Sequence, residues 1–309
     1  MLSYQHSFHA ANHADVLKHV TLMAVLNKFK QKAKPYFYLD THAGSGQYSL
    51  ANTPREGEIV DTNNKHHDQE FASDVLQALS DTPHTPSHAV LHDYATIVGP
   101  LLQQRQYLGS PLLAQAYSRE YDVLHASELH PQAYESLRDA CRRSNLHAHH
   151  RDGFELLKAL TPPKPNRGMV LIDPAYEQAG EYNAVFEHVS ASIQKWPQGV
   201  FVMWYPLLSP TRISHKSQQS EHNPKHGLSE QMISRFSEFA AQSQQFGLLD
   251  VRLAIQAPSD QVGMYGSGML VLNPPWQLQE ALAPLHQYIC QHIGSNNGLS
   301  SIQTLVKSV

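Results

Sequence analysis

Two hydrophobic periods take turns along the chain. In ADVLKHVTLMAVLNKF, Val16, Leu17, Val20, Met23, Ala24 and Leu26 recur at helical spacing and predict an amphipathic helix. PYFYLD, from Pro35 to Asp40, reads as a short buried strand, and the turn THAGSGQ follows at once. Residues from about 49 to 106 break this rhythm with the polar TNNKHHDQ, a helical pattern around FASDVLQAL and the proline-rich DTPHTPSH. They predict an inserted, mostly helical subdomain, 49–106, within a main domain made of 1–48 and 107–309.

The rhythm then resumes. YDVLHASELH predicts a strand, PQAYESLRDACRR a helix, LHAHHRDG the end of a strand and FELLKAL a helix. RGMVLIDPAY is a fourth strand, NAVFEHVSASIQKW a helix, and GVFVMWYPLL an apolar run that suits a strand covered on both faces. Helix ISRFSEFAAQSQQF and strands LLDVRLAI and SGMLVLNPP complete the series. Alternating strands and helices predict an α/β fold with a mostly parallel, doubly wound sheet and an antiparallel edge. SPTRISHKSQQSEHNPKHGLSE reads as a polar loop or lid, and the tail GSNNGLSSIQTLVKSV carries no pattern.

Composition narrows the class. The chain has 309 residues, 41% hydrophobic and 16% charged, enough for a substantial core. The longest apolar stretch is too short to span a bilayer, and the opening residues lack the pattern of a secretory signal. Only Cys141 and Cys290 are present, which argues against a disulfide framework and for a reducing cytoplasm. With a net charge of −4, binding to nucleic acid must use local patches. Two are visible: Lys28, Lys30, Lys32 and Lys34 in NKFKQKAKP, and Arg138, Arg142, Arg143 and Arg151 further on. Lysines that end a helix also have a plain electrostatic reason to be there.

Candidate chemistry gathers at strand ends. Asp40 follows the first strand, Glu128 the second, Asp152 with Gly153 the third, and Asp173 the fourth. In a doubly wound sheet these ends meet at the ligand crevice. Gly44 and Gly46 would let a ligand approach the backbone closely. A nicotinamide site normally shows a third glycine, and position 49 is serine. Four acids favour a cofactor without phosphates, and S-adenosylmethionine, with its ribose diol and adenine amine, fits. Asp173-Pro174-Ala175-Tyr176 then acquires a use. The exocyclic amine of adenine attacks a methyl group poorly while its lone pair is delocalised into the ring. The Asp173 carboxylate and the Pro174 carbonyl could each accept one amine hydrogen, with the Tyr176 ring stacked on an extruded base.

The sequence resembles the RlmJ family of ribosomal large-subunit RNA adenine N6-methyltransferases. The likeness rests on MLSYQHSFHAANHADVLKH, YLDTHAGSGQY, LGSPLL, SELHP, RDGF, LIDPAYE, MWYP and SGMLVLNPPW, in that order over most of the chain. It implies a Rossmann-like class I S-adenosylmethionine-dependent methyltransferase fold and transfer of a methyl group to an adenine N6 in 23S ribosomal RNA. It further implies that His19, His42, Ser110, Glu128, Asp152 and Gly153 line the cofactor with Lys18 adjacent, beside the Gly44 turn, that Tyr4 contacts the RNA or covers the site, and that Asp173 is catalytic. One departure stands out: the family pattern is Asp-Pro-Pro-Tyr, and this chain has Ala175. Its loss of a φ-fixing ring predicts a looser loop.

Other readings compete. NPPW at 273–276 looks like a second such motif, although two prolines after a strand usually just end it. His9 and His13 have the spacing of a helical ligand pair, yet no carboxylate completes a metal pattern, and no metal is expected. Glu128 and Asp152 could cap helices as well as bind a ligand. An Asp-Pro-x-aromatic pocket could also hold a DNA adenine or a protein amide, and a chain disabled by Ala175 could be a non-catalytic RNA-binding or assembly protein.

Overall fold

The computed structural model describes residues 10–50, 72–77, 85–142, 144–214, 219–260, 262–293 and 299–307. Its strands are β1 (Phe37–Asp40), β2 (Gln47–Ser49), β3 (Gln106–Leu108), β4 (Val123–Glu128), β5 (Leu146–His150), β6 (Gly168–Ile172), β7 (Gly199–Leu208), β8 (Thr211–Ile213), β9 (Ser220–His222), β10 (Leu248–Ala254), β11 (Met264–Leu272) and β12 (Ser301–Val306). The helices are α1 (His13–Lys30), α2 (Ala89–Gln103), α3 (Ser110–Tyr117), α4 (Pro131–Cys141), α5 (Gly153–Leu160), α6 (Gly180–Lys195), α7 (Leu228–Ser243) and α8 (Leu278–Ile293).

Eight strands form one sheet in the order β12-β10-β11-β7-β6-β1-β4-β5. From β7 to β5 all neighbours are parallel, while β11, β10 and β12 add an antiparallel edge. Successive residues of the central strands serve opposite faces, as a two-residue period requires. Tyr38 of β1, Met169 and Leu171 of β6, and Val200 and Val202 of β7 enter the core that contains α1, α3 and α8. Leu39, Val170, Ile172, Phe201 and Met203 enter the core that contains α5, α6 and α7. Both faces are covered, which is why these strands read as nearly continuous apolar runs.

Helix α1 is buried almost all round, because Tyr94 and Val98 of α2 and Tyr107 of β3 share its core. It starts with a reciprocal cap: Asp15 N–H donates to Asn12 Oδ1 at 3.0 Å, and Ala11 N–H donates to Asp15 Oδ2 at 3.0 Å. Strands β2 and β3 pair antiparallel, which brings the two ends of the 50–105 connection together. TNNKHHDQ lies outside the described residues; 72–77 are helical.

Three elements were not legible beforehand. The patternless tail supplies edge strand β12, LGSPLL opens helix α3, and the supposed lid contains the hairpin β8–β9. Among the described residues no helix is long and apolar enough to cross a membrane.

Candidate active site

The strand order reverses direction at β1 and β6: the chain goes from β1 outward to β4 and β5, then returns to the other side of β1. This is the switch point at which a doubly wound sheet opens a crevice beyond its carboxyl ends. Asp40 stands opposite Leu171, two residues before Asp173, so the register alone brings both acids to the crevice.

Asp40 is fully buried at the end of β1. Its Oδ2 accepts from Ser110 Oγ at 2.6 Å and Tyr38 OH at 3.0 Å, and its Oδ1 from the His42 N–H at 3.2 Å. Burial pushes its carboxyl up to about 6, against the pull of these hydroxyls. Ser110 begins α3 directly after Gly109, whose N–H donates to Gly46 O at 2.7 Å. Thus the glycine turn and the start of α3 are stitched together over the end of β1.

Within that turn, Gly44 has φ +62°, and a Cβ there would lie 2.1 Å from Tyr48 OH. Any other residue would be both strained and crowded. The Gly44 N–H donates to Glu128 Oε2 at 2.8 Å, and Glu128 Oε1 accepts from the His130 N–H at 2.7 Å. Asp152 caps α5, its Oδ1 accepting from the N–H groups of Phe154 and Glu155 at 3.0 Å each. A Cβ on Gly153 would lie 2.0 Å from Thr41 O, so the start of α5 is pressed against the turn after β1. Asp152 thus caps its helix as expected, whereas Glu128 ties two backbone segments together and the helix after it has no side-chain cap.

Thr41 Oγ1 donates to Leu171 O at 3.1 Å and lies 2.8 Å from His42 Nδ1. A hydroxyl has one proton, so the imidazole Nδ1 carries its own and donates to the threonine. Burial lowers His42 to about 4 and keeps it neutral. His19 belongs to α1. It is fully buried, stacked 5.3 Å from the Tyr107 ring, with its Nδ1 2.9 Å from Tyr107 OH.

Lys18, one residue earlier on α1, points into the crevice. Its Nζ lies 2.6 Å from Asp173 Oδ2 and 2.9 Å from Asp15 Oδ1, and its side chain is only 6% exposed. Burial alone would pull this ammonium down, but the carboxylates of Asp15 and Asp173 outweigh it and hold it well above the ordinary lysine range. Asp15 and Tyr38 were missed by sequence reasoning. The available signal was an acid and a lysine, three residues apart, inside an apolar helical run.

Pro174 is buried and Ala175 exposed. Tyr176 has φ +49°, unusual for a bulky residue, and is only 1% exposed. Its OH donates to Trp204 O at 2.9 Å and its ring lies 4.3 Å from Tyr182. In this conformation the ring has no open face for a base. Tyr4 lies outside the described residues.

The lysines that end α1 and the NPPW stretch fall away from the crevice. Lys28 and Lys30 end α1 beside the start of β1, at the opposite edge of the sheet; Lys30 Nζ donates to Tyr117 O at 2.9 Å and sits 3.6 Å over that ring. NPPW follows β11 at that same far edge, where Asn273 Nδ2 donates to Gly199 O at 3.0 Å. His9 lies outside the described residues, and among those described no group of three or more His, Cys, Asp or Glu is placed to hold a metal.

The model of the family described as Ribosomal RNA large subunit methyltransferase D, RlmJ, matches residues 33–225 and 227–306. A protein called Ribosomal RNA large subunit methyltransferase J from Escherichia coli (strain K12) is 36% identical over 288 residues, 91% of this chain and 90% of that protein. Its namesake from Haemophilus influenzae is 36% identical over 297 residues, 94% of this chain and 93% of its own length. The crystal structure of a DUF519 protein from Legionella pneumophila superposes with a TM-score of 0.74 at 26% identity, covering 97% of this chain and 99% of that one.

Proposed function

The chain belongs to the RlmJ family of ribosomal RNA large subunit methyltransferases, and on that premise we propose that it transfers a methyl group from S-adenosylmethionine to the exocyclic N6 amine of an adenine in 23S ribosomal RNA. The observation that carries this reading is the contact of Asp173 with Lys18 at the sheet's switch point, where the acids of three further strand ends also lie.

The donor set fits the cofactor. Asp40, Glu128, Asp152 and Asp173 suit a ligand that bears hydroxyls, an amine and a positive sulfur, and would repel a pyrophosphate. Glu128 is assigned the ribose hydroxyls. Asp152, whose cap bonds both go to Oδ1, is assigned the adenine amine through Oδ2, with Gly153 beside it. His42, Gly44 and Ser110 surround the methionine end, and His19 walls it on the side of Tyr107. When bound, S-adenosylmethionine supplies a methyl group on a sulfonium that leaves as a neutral thioether.

The chain's own work is orientation. The Asp173 carboxylate and the Pro174 carbonyl accept the two amine hydrogens and draw the nitrogen lone pair out of the ring plane, towards the methyl carbon. A carboxylate is a weak base, and Asp173 Oδ2 already accepts from the Lys18 ammonium at 2.6 Å. It therefore serves as a hydrogen-bond acceptor, and the surplus amine proton leaves to water. Tyr176 anchors this loop in the described conformation; its ring would stack on the base only after leaving Tyr182 and Trp204. Tyr4 is assigned to the RNA side of the site.

The adenine must be unpaired or extruded, because a narrow A-form major groove shields its amine. Protein-free large-subunit RNA, or an early assembly intermediate, offers it most readily, and the cytoplasm is the compartment. We assign 49–106 as the inserted helical subdomain, supported by the β2–β3 ladder that closes its ends and by α2. The test is incubation with labelled S-adenosylmethionine and, separately, protein-free large-subunit RNA, DNA and ribosomal proteins, followed by mass spectrometry of the products. N6-methyladenosine from RNA alone is expected. Label only in DNA or protein, or none anywhere, would contradict the proposal.

A further inference from the structure

Tyr176 is held at two points, and only one lies on the sheet. Its OH is fixed by Trp204 of β7, while its backbone carbonyl accepts from Lys225 Nζ at 2.7 Å. Lys225 is half-buried and comes from the turn that leads into α7, 49 residues further along the chain. This turn is itself rigidly placed. Lys225 N–H donates to the side chain of buried Asn223 at 3.2 Å, Asn223 N–H donates to Pro210 O at 2.9 Å, and His226 Nδ1 donates to Leu208 O at 2.9 Å. The lysine therefore reaches the loop from a base fixed to the end of β7.

Its choice of partner is informative. Glu177 and Glu181 are near enough to act on its charge, yet the ammonium is given to a main-chain oxygen. An ordered lysine stem and a partly dehydrated charge are costly unless the contact fixes something. What it fixes is a residue in the left-handed region, next to an exposed alanine that restrains nothing.

We propose that Lys225 is a positioning residue for methyl transfer: by locking the carbonyl of Tyr176, it holds the Asp173–Tyr176 loop in the geometry in which Asp173 and Pro174 accept the amine hydrogens. This rests on the function proposed above. The latch also couples the turn at 223–226 to the site, so that displacing one displaces the other.

The test compares wild type, Lys225→Met and Lys225→Arg by two readouts. Hydrogen exchange, followed by mass spectrometry, measures protection of 173–178 without reference to activity. Single-turnover methyl transfer to protein-free large-subunit RNA measures the reaction. For Lys225→Met the expected result is faster exchange confined to this loop and a rate lower by about tenfold or more, on the scale of a small misplacement, with S-adenosylmethionine affinity unchanged. Lys225→Arg, which keeps a donor, should recover part of both. Unchanged exchange in Lys225→Met overturns the latch, and faster exchange with an unchanged rate overturns its role in the reaction. If wild type makes no product, the proposed function fails, while the exchange comparison still decides the latch.

Discussion

The Lys18 ammonium lies 2.6 Å from the Asp173 carboxylate across 155 residues of sequence, and it joins the first helix to the loop after the fourth parallel strand. The same ammonium lies 2.9 Å from Asp15. One ammonium thus faces two carboxylates whose side chains are 2% and 16% exposed. Removing it would leave both acids facing each other. Lys18→Met should cost roughly 3–5 kcal/mol of stability, the usual penalty for breaking a buried pair. It should also abolish turnover at temperatures where the variant remains folded. Chemical denaturation beside a methyl-transfer assay checks both; a variant as stable as wild type would show that the pair contributes little.

Gly153 has no room for a side chain, because a Cβ would meet the Thr41 carbonyl oxygen at 2.0 Å. Gly153→Ala must push α5 and its cap Asp152 away from the turn after β1. Overpacking of this kind costs about 1–3 kcal/mol. Titration calorimetry should show S-adenosylmethionine affinity reduced by about tenfold or more, an energy of about 1.4 kcal/mol. Unchanged affinity would remove Asp152 and Gly153 from the cofactor site.

Strands β4 and β5 carry three histidines on one face. His125 Nδ1 lies 2.9 Å from His149 Nε2, and its ring is 5.2 Å from that of His147. Burial, with His149 and His147 nearby, lowers His125 from 6.5 to about 4, and burial also lowers His149. Between these values the unfolded chain binds more protons than the folded one. The contribution is complete above about pH 6.5 and is lost as the pH falls towards about 4. Asp40, raised from 3.8 to about 6, acts in the opposite sense within that window. The urea midpoint should therefore fall from pH 7 to pH 5, and less steeply in His125→Phe. Identical slopes would contradict the assignment.

Ala175 is exposed and sits between the buried Pro174 and Tyr176 at φ +49°. Ala175→Pro should stabilise the protein by about 0.4–1 kcal/mol, since it removes freedom chiefly from the unfolded chain. It should also raise the methyl-transfer rate severalfold. A slower or less stable variant would mean that this loop has a conformation that proline cannot adopt.

Much of this was legible in the chain. Asp40 and Asp173 could be placed because each terminates an apolar run, and Glu128 and Asp152 because each follows a strand pattern and precedes a helical one; parallel strands in register deliver these ends to one edge. The edge strand β12 was hidden because SIQTLV is short and half polar, and it gains strand character only by pairing with β10. The direction of Tyr176 was hidden for another reason. An aromatic ring after a strand end can turn to the crevice or to the core, and here the positive φ and the Trp204 carbonyl turn it inward. Lys18 with Asp173, and Lys225 with Tyr176, are long-range contacts that no local period encodes.

Asp173 is the residue on which the proposed chemistry turns, and its contribution can be isolated. Single-turnover methyl transfer to unmodified large-subunit RNA, with S-adenosylmethionine affinity measured in parallel, should be run on wild type and Asp173→Ala. Formation of N6-methyladenosine by wild type, with the variant still binding the cofactor but slower by about 100-fold or more, is the predicted result. An Asp173→Ala protein that methylates adenine as fast as wild type would contradict it.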